Sequence, residues 1–137
     1  TNDFVLAYNE PLSQSGWAAP RSIGITGSSR VQTGGHAASA QAVVDGTADV
    51  AAIDALTWHF LARDWDKASN LTVLTTTPKT PTLPYITALN QDANALRHGL
   101  NQAILSLDLN DQETLRVFGL VDIKAEEYLN FSLPPTP

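Results

Sequence analysis

The 137-residue chain has no cysteine, so neither a disulfide framework nor a thiolate metal site is open to it, and the absence by itself fixes no compartment. Charge is sparse as well. Charged residues make up 16% of the sequence and acidic residues outnumber basic ones 14 to 8, giving a formal net charge of −6. That balance excludes a general electrostatic attraction to DNA, RNA or an anionic membrane. It still permits a small anion, because a few N–H groups act locally where distant surface charge is screened. No apolar run approaches the roughly 20 residues that a membrane helix needs, and no basic stretch followed by an apolar one stands near the start. Internal repeats, low-complexity tracts and the G-x-x-x-x-G-K-[ST] phosphate loop are absent too. What is plentiful is apolar residues, at 43%, enough for a real core in one compact domain.

The apolar residues are arranged in short alternating elements. Phe4 to Tyr8 reads as a strand that opens the sequence almost without a lead-in, which predicts a piece of a longer protein. The loop Glu10 to Gly16, E-P-L-S-Q-S-G, leads into a short helix beginning near Ser15, weakened by Pro20, which has no N–H to donate. Arg30 to Thr33 reads as a second strand. His36 to Asp45 has Ala37, Ala40 and Val44 on one helical face, with Gly46 placed as a C-terminal cap. Asp49 to Ile53 has the apolar character of a buried parallel strand, and Asp54 is placed to cap a helix running to about Trp65. Leu71 to Thr77 is rich in β-branched residues and predicts a further strand.

Strands alternating with short helices imply an α/β fold, a mostly parallel sheet with helices on both faces. Three prolines, Pro78, Pro81 and Pro84, then stiffen an extended crossover. Beyond it, Asp92 to Leu107 carries Leu96, Leu100, Ile104 and Leu107 at helical spacing. Asn110 followed by Glu113 predicts the start of a second helix that passes Leu115 and Phe118 and closes at Gly119. The apolar faces of these C-terminal helices call for a cover, and the proline-rich end, Leu133 to Pro137, reads as loose.

In parallel sheets ligands sit beyond the carboxyl ends of the strands, where three candidate loops fall. Ser13, Gln14, Ser15 and Gly16 combine hydroxyls, N–H groups at a helix start and a glycine that lets the backbone approach, a combination suited to tetrahedral oxyanions. Simple helix capping by serine is the plain alternative. His36 follows Thr33-Gly34-Gly35 at a helix start, where an imidazole can donate to an anion. Asp54 either receives a hydrogen bond from a ligand or only caps its helix. Trp17 is a candidate pocket wall, Trp58 and Trp65 read as helix packing, and Asp45 and Asp49 as solvent-facing. His59 and His98 have no second ligand at metal spacing. No nucleophile and base pair, carboxylate pair or metal cluster is forced together, so catalysis and cofactors have no positive sign.

The succession E-P-L-S-Q-S-G-W, T-G-G-H-A-A-S-A-Q-A-V, G-T-A-D-V-A-A-I-D and L-T-T-T-P-K-T-P, over Tyr8 to Pro84, resembles the substrate-binding proteins of phosphate, phosphite and phosphonate ABC transporters. The resemblance implies a type II periplasmic binding protein, in which two α/β lobes close on a ligand. Residues 1–80 would form one ligand-binding lobe, and 81–137 the crossover and helices returning to the other lobe. Ser13, Gln14 and Ser15 would hold oxyanion oxygens, His36 would donate to one and Asp54 would line the cleft. The sequence departs from the family pattern at Gly35, where serine is frequent, at Gln14, where threonine is, and at Leu83, where an acid can read the amine of an aminophosphonate. The implied partners are a small anion and an ABC permease, with a periplasmic or lipid-anchored location and contact with the membrane only through the transporter. A sensor domain of a receptor kinase or transcription regulator is the alternative with the same fold, and a phosphoesterase using His36 as acid or base is a third.

Overall fold

The computed structural model describes residues 3–129. They fall into two units that divide after Lys79. In the first, three parallel strands form a sheet of order β2-β1-β3: β1 (Val5–Tyr8), β2 (Ser29–Gln32) and β3 (Val50–Ala51). β1 is central, with Leu6 opposite Arg30 on one side and Val50 on the other. Period-two alternation then sorts β1 onto two faces. Leu6 and Tyr8 point to one face and form the core with Trp17, flanked by Phe4, Ile25 and Val50. Ala7, fully buried, points to the other.

Each crossover between strands carries helix. After β1 come a single π-helical turn (Gln14–Ala18) and α1 (Ala19–Ser22); Pro20 sits at the start of α1, where a missing N–H costs nothing. α2 (His36–Val44) packs against β1 with Ser39 and Ala40 buried. Its inward face is therefore one step round from the predicted Ala37, Ala40, Val44 stripe, and Ala37 is exposed. α3 (Ala55–Asp64) follows β3 and ends in a 3₁₀ turn, Asp66–Asn70. Between α1 and β2, Gly27 is buried at φ +64°, and a Cβ there would stand 2.9 Å from the Ser29 carbonyl, so only glycine fits.

Several expectations are corrected. Leu71 to Thr77 forms no regular element and joins no strand among the described residues, with Val73 and Leu74 56% and 75% exposed. β-branched composition favours an extended backbone without supplying a neighbour to pair with. β3 is two residues rather than five. Trp17 is wholly buried, 4.9 Å from the Tyr8 ring, and lines no pocket wall. Asp49 is exposed, yet its carboxylate accepts the Val5 N–H at 2.8 Å and ties β1 to β3.

In the second unit α4 (Ala93–Ser106) is capped by Asp92, whose carboxylate accepts the N–H groups of Asn94 and Ala95, both at 3.0 Å. Its one buried residue is Ile104. α5 (Leu109–Leu115) starts from Asp108 rather than Asn110 and ends on Arg116 in the left-handed region (φ 57°), before the predicted Gly119 stop. A short α6 (Ala125–Leu129) was not predicted. The loose tail expected over 133–137 lies outside the described residues.

Arg97 bonds Asp122 at 2.6 Å and holds its carboxyl below the usual aspartate range, chiefly through that hydrogen bond. The bridge's contribution is therefore present above the ordinary range and lost as the pH falls from that range through the lowered value. Because both groups are exposed, the contribution is small. In Arg97→Gln the Asp122 midpoint, read from its carboxyl carbon by NMR, should move up towards the ordinary range.

Candidate functional site

The parallel arrangement brings the loops after β1, β2 and β3 to one edge of the sheet. In the first, the Ser13 N–H donates to the Glu10 carbonyl (3.1 Å), and the Ser13 hydroxyl accepts the Gly16 N–H at 2.9 Å. Ser13 is the N-cap of the π turn, and its own carbonyl accepts from both Trp17 (3.1 Å) and Ala18 (3.0 Å). Gly16 is required by close approach, since a Cβ there would lie 1.9 Å from Asn9 Oδ1. Gln14 and Ser15 are half-buried.

The second loop is tied to the first through the end of β1. The Thr33 N–H donates to the Tyr8 carbonyl and the Gly34 N–H to the Asn9 carbonyl, both at 2.9 Å. The Thr33 hydroxyl lies 3.1 Å from the carbonyls of Tyr8 and Gly35 and 2.6 Å from the Ser39 hydroxyl. With its single proton given to a carbonyl, it accepts from Ser39. That latch fixes the start of α2, and no side chain caps this start, because Gly35 occupies the N-cap. The first-turn N–H groups of α2 therefore keep their hydrogen-bonding capacity.

His36 opens α2, and its Nε2 lies 3.0 Å from the Ser15 hydroxyl, joining two loops 21 residues apart. Its Nδ1 is buried without a partner among the described residues, as is Asn9 Oδ1. The imidazole tautomer sets the roles here: with the ring proton on Nε2, His36 donates to Ser15 and the Ser15 proton stays uncommitted; with it on Nδ1, Ser15 donates to Nε2 and the ring N–H stays uncommitted. Two serine hydroxyls and an imidazole that share one internal hydrogen bond, beside an uncapped helix start, keep protons to offer to acceptor oxygens.

Asp54 stands apart. It caps α3, where its Oδ1 accepts both the Thr57 N–H (2.9 Å) and the Thr57 hydroxyl (3.2 Å). The strand order also puts its loop on the opposite side of β1 from His36. A carboxylate already fills the start of α3, whereas that of α2 is open. Asp54→Ala should cost about 1 kcal/mol of stability, measured by urea denaturation.

Sequence reasoning gave no role to Asn9 or Thr33, which link the two loops. The available signal was their position directly after a strand, where the chain meets neighbouring loops. His59 and His98 are exposed, and no group of three or more His, Asp or Glu among the described residues could hold a metal. No helix among them is long and apolar enough to cross a membrane.

Over residues 3–128 the sequence matches the family described as ABC transporter, phosphonate, periplasmic substrate-binding protein. The chain belongs to this family. As a phosphonate-family substrate-binding protein it is of a binding class rather than an enzyme class, with a small ligand and a permease as partners and an extracytoplasmic place of work. No individually curated protein matches the sequence significantly.

Proposed function

We propose that the protein captures a phosphonate, phosphite or phosphate anion for ABC-type import, holding its oxygens with Ser13, Gln14, Ser15 and His36, where Gly16 lets the loop close. The observation that carries this reading is the 3.0 Å contact of Ser15 with His36 across two loops, beside the uncapped start of α2. Charge-assisted hydrogen bonds from hydroxyls, N–H groups and an imidazole suit a tetrahedral oxyanion. The donors act at contact distance, so the net charge of −6 does not prevent capture. Asp54 serves this site indirectly, by holding the third loop.

Leu83, where aminophosphonate binders can carry an acid, offers no carboxylate to an amine, which favours a plain oxyanion. The reading also takes residues 1–80 as one jaw of a two-lobed clamp and 81–137 as the return to the other. A calorimetric screen of the complete protein against methylphosphonate, phosphite, phosphate and sulfate tests it. Saturable one-site binding of at least one phosphorus oxyanion is expected. Binding of none of them would overturn the reading.

A further inference from the structure

The chain has five arginines, and they fall into two kinds. Arg63, Arg97 and Arg116 each meet a carboxylate at 2.6 to 2.9 Å. Arg21 and Arg30 meet none among the described residues. Both instead lie over the ring of Trp17, with their guanidinium carbons 4.6 and 5.5 Å from its centroid. Two uncompensated cations on one buried ring are unexpected in an acidic chain, because like charges repel and carboxylates are plentiful.

Both arginines are also held in place. Arg30 spends its Nε on the Thr26 carbonyl at 3.3 Å, and its terminal nitrogens make no hydrogen bond among the described residues. Arg21 is half-buried, and its Nε is sealed from solvent without an acceptor among the described residues. A buried cationic donor left unpaired is costly. Stacking on an indole meanwhile orients each guanidinium and lowers the entropy lost when its fork engages a carboxylate.

The setting favours an extended partner. β2 is an edge strand, so its outer backbone groups are unpaired among the described residues, and Ser29, Arg30 and Gln32 are exposed. We propose that Arg21 and Arg30, mounted on Trp17, form a second recognition site that takes carboxylates from an extended acidic segment of a partner protein laid along β2. Backbone pairing along the edge would supply affinity and the two guanidiniums selectivity for acidic side chains.

The test follows the arginine Nε–Hε signals of the 15N-labelled complete protein during titration with a blocked hexaglutamate peptide at low salt. Saturable shifts at Arg21 and Arg30, with Arg63, Arg97 and Arg116 unmoved, are expected. Affinity should fall at least tenfold in R21Q/R30Q and severalfold in R30Q, whose exposed side chain can be changed without opening the core. No shift at the pair would overturn the proposal, as would equal affinity in R30Q. An equal response to inorganic phosphate at matched charge would overturn it too, by reducing the pair to a simple anion contact.

Discussion

Replacing both Ser13 and Ser15 by alanine should abolish oxyanion binding by the complete protein and leave it folded. Each hydroxyl offers one hydrogen bond to a charged ligand, worth about 1.5–3 kcal/mol, so losing both weakens binding about 10²–10⁴-fold. The structural cost is smaller. Ser13 loses its cap on the Gly16 N–H, about 1 kcal/mol, and Ser15 loses only its contact with His36. The two effects separate experimentally, because calorimetric affinity collapses while the urea midpoint moves little. Unchanged affinity in a folded double variant would remove the loop from the site.

The largest effect on stability is expected at Trp17. It is wholly buried against Leu6 and Tyr8 and carries two arginines on its ring. Trp17→Ala leaves a large cavity at the centre of a small core, and such truncations cost about 3–5 kcal/mol. Against a typical total of about 5–15 kcal/mol, that takes much of the margin. Trp17 follows Gly16 directly, so the same cavity loosens the π turn that positions Ser13 and Ser15. Urea unfolding followed by far-ultraviolet circular dichroism should show the drop, with Trp17→Phe losing distinctly less. A loss below about 1 kcal/mol would mean that the core has been placed wrongly.

Much of the first unit was legible because local signals and tertiary packing agree there. Strand, loop and helix start follow one another at βαβ spacing, and the cap at Asp54 acts through its own chain neighbours, so it can be read locally. Pairing cannot be read in the same way. Leu71 to Thr77 has strand composition, but a strand also needs an adjacent edge. The approach of Ser15 to His36 depends on β2 lying beside β1, which composition cannot specify. Trp17 was misplaced for a related reason. Its position after the loop suggested a pocket wall, whereas the π turn directs it onto the Leu6 and Tyr8 face. The shift from Asn110 to Asp108 shows two polar residues, both fit to cap, competing for one helix start.

The most direct test of the site is NMR of the three histidine rings during titration of the complete protein with methylphosphonate, or with whichever phosphorus oxyanion binds in calorimetry. The account predicts that the His36 ring nitrogens shift and saturate at one equivalent, while His59 and His98 stay still. Saturable binding with an unmoved His36 ring would contradict it.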